Sequence, residues 1–141
     1  MSALVAAPVL IPLATVGATV LAARRPGLQR IVSLLGALAF LACAIALVSF
    51  AAADEPVRGS FGGWVAPFGI EFHLDRTGAV LVLITALMGA AALLFLLSDA
   101  DPGNHHPLLL PLIHGVLAGV AGAFSTADLF NLYVWFEVML I

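Results

Sequence analysis

The sequence is poor in charged residues and contains no lysine. Only 9% of its 141 residues are charged, and its five basic residues are all arginines. A soluble globular domain carries about 25% charged residues, so this shortage excludes an ordinary soluble domain. The formal net charge of −3 also argues against a nucleic-acid partner, because such partners require a basic surface.

The sequence also lacks the residue clusters that mark metal and cofactor sites. Its single cysteine, Cys43, lies in an apolar run, so it cannot form an intrachain disulfide and is interpreted as a small buried hydrophobe. No phosphate-binding loop, nucleophilic triad or haem motif occurs. Glu71 with His73, and His105 with His106, are interpreted as solvated loop residues in preference to metal ligands. We therefore predict no cofactor and no metal site.

Long apolar runs dominate what remains. Hydrophobic residues make up 63% of the chain, and the mean hydropathy is +1.18. No basic segment precedes the first run, which predicts a transmembrane helix in place of a cleaved signal peptide. A run of about 20 apolar residues spans a bilayer. We predict an all-α integral membrane segment over residues 1–141, with four complete transmembrane helices and a truncated fifth from a larger antiporter-like bundle. The predicted helices cover residues 3–23, 31–53, 76–97, 108–124 and 126–141.

The connections between the runs predict a topology. Arg24, Arg25 and Arg30 follow the first run, so the positive-inside rule makes that loop cytoplasmic and places the N-terminus outside the cell. Residues 54–74 form an outer loop rich in glycine and aromatic residues, interpreted as an extended or hairpin segment on the membrane. Small residues recur at every fourth position of the fourth run, which predicts close helix–helix packing. They are Gly115, Gly119 and Ala123, with Ala118 and Gly122 on an adjacent stripe.

Glu137 is the main candidate for chemistry. Ser125 and Asp128 form an S-x-x-D pattern that predicts a helix start. Glu137 follows Asp128 by nine residues, or roughly 13 Å of helix, which places it near the middle of a hydrocarbon core about 30 Å thick. An ionised group there costs at least ~2.5 kcal/mol. We favour a proton-carrying carboxylate. The alternative is a neutral acid held by helix–helix hydrogen bonds.

Other polar residues near this segment receive simpler interpretations. His114 lies ~9 Å into the fourth helix and is a relay candidate toward Glu137, although a helix–helix hydrogen bond or an interfacial kink is the favoured interpretation. Tyr133, one turn before Glu137 on the same face, is interpreted as a packing residue in preference to a hydrogen-bonding partner of Glu137. Asp128 is interpreted as a helix cap, and Asn131 as a hydrogen-bonding contact to a neighbouring helix.

The fifth-helix segment resembles a known family. Residues 126–141 read T-A-D-L-F-N-L-Y-V-W-F-E-V-M-L-I, close to the pattern T-G-D-L-F-N-L-[FY]-V-x-F-E-[VL]-[ML]-L-I, with Ala127 in place of glycine. That pattern is typical of the D subunit of Mrp-type multisubunit Na+/H+ antiporters, a relative of the antiporter-like subunits of respiratory complex I. The resemblance extends back through residues 62–72 and Asp75-Arg76, and covers the whole chain.

The resemblance implies a role for Glu137 as the family's essential transmembrane glutamate, paired with a buried lysine on a later helix. This chain has fewer helices than the family and no lysine. Arginine cannot replace that lysine as a proton carrier, because it does not release its proton in proteins. We therefore expect an N-terminal fragment, or one piece of a split subunit, that cannot move ions alone.

The predicted function is the N-terminal part of a proton-translocating subunit of a multisubunit Na+/H+ antiporter. Its partners are the other subunits, the lipid bilayer, H+, and Na+ or another monovalent cation. The predicted location is the plasma membrane, and a secondary transporter is favoured over an enzyme. Two alternatives stay open. One is a redox-driven pump subunit of a complex I-like NADH-quinone oxidoreductase or membrane hydrogenase, and the other is a structural membrane fragment in which Glu137 only bridges helices.

Overall fold

The computed structural model of the chain describes residues 2–52, 56–61, 70–98 and 106–140. These residues form five helices and one hairpin. The helices are α1 (Ser2–Leu21), α2 (Pro26–Ala51), α3 (Arg76–Leu97), α4 (Leu109–Ser125) and α5 (Leu129–Met139), and the strands are β1 (Val57–Phe61) and β2 (Ile70–Leu74). The sequence features expected at residues 62–69, and His105, lie outside the described residues.

Three of the helices are long and apolar enough to cross a membrane. Within the described residues these are α1, α2 and α3, whereas α4 and α5 are apolar but shorter, at 17 and 11 residues. A mostly helical membrane fold is therefore confirmed, with three full-length spans. The sequence predicted a fourth complete span, which corresponds to α4. At ~1.5 Å per residue α4 is about 25 Å long, shorter than a hydrocarbon core of about 30 Å. The fourth complete span is therefore not confirmed.

Two helix starts differ from prediction, each for a local reason. Helix α2 begins at Pro26 instead of residue 31, because proline at the first helical position needs no N–H partner. Pro26-Gly27 is thus the first turn of α2 and not a loop. Helix α5 begins at Leu129 with Asp128 as its cap, whose side chain accepts from the Phe130 N–H at 2.9 Å. Ser125 was wrongly predicted to start this helix. It ends α4, and its hydroxyl donates to the Ala121 carbonyl.

The hairpin follows the alternation of its residues. Strands β1 and β2 pair antiparallel, with Arg58 opposite His73 and Gly59 opposite Phe72. Because successive side chains point to opposite faces, Phe72 and Leu74 turn toward the bundle and are buried, whereas Arg58 is exposed. This confirms the predicted hairpin between α2 and α3, and its place on the outer membrane surface stays a prediction.

Helix α4 occupies the centre of the bundle. It packs against α1, α3 and α5, and with α2 and α3 it encloses a core built around Phe40, Val82 and Leu117. The bundle has two distinct ends. We call the end where α1 and α3 finish and α2 and α4 begin the arginine end, after Arg24, Arg25 and Arg30. The opposite end, which carries β1 and β2, is the hairpin end.

Small residues on α4 allow α5 to approach closely, as the spacing predicted. A Cβ built on Gly119 would lie 2.6 Å from the Met139 side chain, and one built on Gly122 would collide with the Trp135 ring. Gly115 meets nothing within 4 Å. The close contact therefore involves one glycine from each of the two predicted stripes.

Candidate functional site

Glu137 lies on the outward face of α5. The opposite face of the helix packs Trp135 and Met139 against α4, and Asn131 is buried there. On the outward face, Tyr133 is 61% exposed and Phe136 is 54% exposed, and Glu137 is exposed beside Tyr133. Helix α5 starts at the hairpin end, so Glu137 lies about 13 Å along the helix from its cap. The structure thus presents a single carboxylate on an otherwise apolar face.

The Tyr133 and Glu137 side chains lie within hydrogen-bonding reach of each other on the outward face of α5. The two residues are four positions apart, which brings their side chains together on one helix face. The one-turn spacing gives this contact as the alternative to packing at Tyr133, and the choice between the two stays a prediction. In a hydrogen bond between them, the phenol O–H donates and the carboxylate accepts, which orients the carboxyl group.

None of the chain's arginines lies on α5. Arg24, Arg25 and Arg30 belong to the arginine end, Arg58 lies on β1 and Arg76 begins α3. Arg76 is engaged elsewhere, since its Nε donates to the Ala51 carbonyl at the end of α2. An isolated carboxylate facing hydrocarbon is costly, so the α5 face is suited to burial against other protein that supplies a compensating group.

His114 lies at the junction of α2 and α4, away from the outward face of α5. It is fully buried, and its Nε2 lies 2.9 Å from the Ser33 hydroxyl on α2. This is the helix–helix hydrogen bond that the sequence favoured. Because His114 is enclosed while Glu137 is exposed on α5, the structure does not bring the two side chains into contact. A relay between them stays a prediction.

Gln29 joins three helices near the arginine end, and sequence reasoning missed it. Its Nε2 donates to the Thr19 carbonyl at the end of α1 (3.0 Å) and to the Pro107 carbonyl before α4 (2.7 Å). The sequence did contain a signal that the Pro107 carbonyl needs a donor from elsewhere. Pro111 has no N–H and cannot bond the carbonyl four residues earlier, at Pro107. A buried polar side chain on α2 supplies the missing donor.

The remaining polar candidates form hydrogen bonds at the start of α5. Asp128 caps α5, as interpreted. Asn131 is 5% exposed, and its Nδ2 donates to the Thr126 hydroxyl at 2.9 Å. This bond joins Asn131 to the connection before α5, whereas the sequence predicted a bond to a neighbouring helix. Within the described ranges, no three His, Cys, Asp or Glu side chains come together in a group that could hold a metal ion.

Curated relatives match across nearly the whole chain. The Na+/H+ antiporter D subunit of Alkalihalophilus pseudofirmus is 36% identical over 146 residues, which cover 100% of this chain and 29% of that protein. The probable K+/H+ antiporter D subunit of Rhizobium meliloti is 35% identical over 144 residues, which cover 94% of this chain and 25% of that protein. The chain therefore spans less than a third of the length of these relatives. No protein-family model matches it.

Solved structures share the fold. A chain of the Mrp complex from Dietzia sp. DQ12-45-1b matches with a TM-score of 0.88 at 31% identity, covering 100% of this chain and 26% of that chain. A chain of the membrane-bound sulfane sulfur reductase, an archaeal respiratory membrane complex, matches with a TM-score of 0.87 at 21% identity, covering 96% and 28%. At that identity the second match shows the fold alone.

The helices and these matches together define a multi-pass membrane protein of the antiporter-subunit class. Within that class, the chain belongs to the D subunits of Mrp-type Na+/H+ antiporters and corresponds to part of their length. The resemblance drawn from the fifth-helix segment is thereby confirmed.

Proposed function

We propose that this chain forms part of a proton-translocating subunit of a multisubunit monovalent cation/proton antiporter, and that Glu137 carries the proton. The supporting observation is the position of Glu137 on the outward face of α5, beside Tyr133 and among exposed apolar side chains. The family assignment supplies the transport class.

The position of Glu137 suits a proton carrier. An ionised carboxylate is expensive in hydrocarbon, so a group that loads and unloads a proton at this depth needs partners that compensate its charge. The Tyr133 hydroxyl on the same face can supply one hydrogen bond. A cation from a segment packed on this face would supply a second compensating contact.

The transported cation, the location and the orientation belong to the same proposal. The relatives are named for Na+ and for K+, so the cation is monovalent and its identity is left to the assay. We place the protein in the plasma membrane with its N-terminus outside, because the three arginines of the α1–α2 region then face the cytoplasm. A fourth complete span by α4 is part of this topology.

Replacement of Glu137 tests the proposal in the assembled complex. In everted membrane vesicles energised by ATP, addition of Na+ or K+ should dissipate the proton gradient. Glu137→Gln should abolish this antiport while the amount of complex stays normal, and Glu137→Asp should retain part of it. Glu71→Gln, on the hairpin, is the matched control and should behave as wild type.

Two outcomes would redirect the proposal. Normal antiport in the Glu137→Gln complex would refute the proton-carrier role. Loss of complex with an unchanged rate per complex would instead support the structural alternative, in which Glu137 bridges helices.

The redox-driven alternative has only fold-level support, from the sulfane sulfur reductase match. It requires an electron donor, so antiport in ATP-energised vesicles without a donor would exclude it.

A further inference from the structure

An apolar groove lies between α1 and α4, beside the end of α5. It has a volume of about 590 Å³, and every described residue that lines it is apolar. Its two walls are one face of α1 and one face of α4, since the residues on each helix are spaced by three or four positions. The α1 wall is Leu13, Val16 and Val20, and the α4 wall is Leu108, Leu112 and Val116. The groove therefore runs along the half of α4 that is nearer the arginine end.

The groove continues the contact between α4 and α5. Helix α5 covers Gly119 and Gly122 of α4. Gly115 lies four residues before Gly119, on the same side of the helix, and it meets nothing within 4 Å in the described part of the chain. Val138, in the last turn of α5, lines the groove together with Gly115. The α4 face that α5 covers at the hairpin end is thus open toward the arginine end.

The groove has the length that α5 lacks. With 11 residues, α5 is about 16 Å long, which is roughly half of a hydrocarbon core of about 30 Å. From the contact at Gly119 back to Leu108, where the α4 wall begins, is roughly another 16 Å. A helix that continued the line of α5 through the groove would therefore reach across the core. Because the chain spans less than a third of its relatives, proteins of this class contain further segments to fill it.

The end of α5 needs hydrogen-bond donors that lipid cannot supply. Leu140, which caps α5, lies roughly 18 Å along the helix line from Asp128. This depth falls inside the hydrocarbon core if Asp128 is near one membrane surface. The last four carbonyl groups of a helix have no partner within it, and unsatisfied backbone groups are costly in hydrocarbon. An acyl chain in the groove offers no donor, whereas further helical residues supply their N–H groups.

We propose that the groove holds the helical segment that follows Ile141 in the same polypeptide and prolongs α5 toward the arginine end. About three turns of this helix fill the groove. They turn an apolar face to Val16 of α1 and to Leu112 and Val116 of α4. Helix α1 thereby becomes a packing partner of the prolonged helix along its second half. The proposal requires α5 to lie in the membrane, and it does not require Glu137 to carry a proton.

Photocrosslinking in the assembled complex identifies the occupant of the groove. A diazirine-bearing amino acid close to leucine in size replaces Leu112, which lines the groove and is 45% exposed. The matched control places the same amino acid at Leu87 of α3, which is 51% exposed and does not line the groove. After illumination of native membranes, mass spectrometry of the digested complex identifies the attached molecule.

The identity of the attached molecule decides between the occupants. We expect position 112 to react with a peptide from the segment that follows Ile141 in the same polypeptide, and position 87 not to react with it. Adducts at position 112 with lipid alone would show an acyl chain in the groove and overturn the proposal. A peptide from another subunit at position 112 would overturn it as well.

Filling the groove tests the same contact by steric bulk. Leu112→Trp adds bulk where the proposed helix packs and should lower the amount of assembled complex several-fold, because overpacked contacts are destabilising. Leu87→Trp is the control and should assemble as wild type. Equal amounts of the two variants would show that the groove stays open and would overturn the proposal. If Leu112→Trp is not produced at all, the crosslink at position 112 decides the question.

Transport keeps this inference separate from the proposed function. Normal antiport in the Glu137→Gln complex would refute the proton-carrier role and leave the crosslink at position 112 unchanged. Conversely, a lipid adduct at position 112 together with loss of antiport in Glu137→Gln would refute the occupant of the groove and support the role of Glu137.

Discussion

Gly122 is the position where a single methyl group should most disturb the helix that carries Glu137. A Cβ built there falls among the six-membered-ring carbons of Trp135, at Cδ2, Cε2 and Cε3, which makes the clash one with a rigid aromatic ring. Trp135 cannot yield easily, because it also packs against Val5, Val9 and Phe72. Gly122→Ala should therefore push α5 away from α4.

The magnitude follows from overpacking. Inserting a methyl group into a well-packed contact costs about 1–3 kcal/mol, and alanine gains roughly 0.5–1 kcal/mol over glycine in a helix interior. Gly115→Ala, on the same helix, receives the same helix-propensity gain and meets nothing within 4 Å. The difference between the two variants therefore isolates the clash, and we expect Gly122→Ala to be the less stable by ~1–3 kcal/mol.

The free energy of unfolding of each variant can be measured by SDS titration in mixed micelles. Tryptophan fluorescence should report on the packing of Trp135 in the same experiment. The Gly122→Ala variant should also show a shifted emission maximum, because the ring leaves its partly buried position. Equal stability and unchanged fluorescence in the two variants would show that α5 does not pack on Gly122, and would refute the interface described above.

Two further substitutions test hydrogen bonds. Tyr133→Phe removes the hydroxyl that orients Glu137 and should lower antiport per complex two- to tenfold, since a hydrogen bond to a charged group contributes ~1.5–3 kcal/mol and part of it is replaced by other groups; an unchanged rate would show that Tyr133 does not position the carboxylate. Gln29→Leu leaves the carbonyls of Thr19 and Pro107 without their donor and should lower the free energy of unfolding by about 1–3 kcal/mol, with Ser49→Ala, an exposed hydroxyl on the same helix, as the control. A Gln29→Leu variant as stable as the Ser49→Ala control would contradict the three-helix role.

Much of the fold could be predicted from hydropathy, because membrane helices need long apolar runs. All five helices lie where those runs lie. The ends of α2 and α5 could not be fixed in this way. Pro26-Gly27 suits both a turn and a first helical turn, and only the packing of Gln29 between α1 and α4 decides for the helix.

The contacts of the candidate site could likewise be predicted from the sequence only in part. Glu137 and Tyr133 are close in sequence, so their contact depends on helix geometry alone. Ser33 and His114 are 81 positions apart, and their hydrogen bond depends on how α2 and α4 cross. No periodicity in the chain encodes that crossing, so His114 could be singled out from the sequence but its partner could not.

The hairpin and the start of α5 support each other through backbone and ring contacts. The Ala127 N–H donates to the Glu71 carbonyl at 3.0 Å, and Phe72 forms a bridge with Thr126 and a ring contact with Trp135. These contacts join β2 to a connection that reaches it only after α3 and α4 have crossed the bundle and returned. The hairpin edge is therefore completed by the segment that leads into α5. The start of the helix that carries Glu137 is held by β2 as well as by α4, so a change in the hairpin would reach that helix directly.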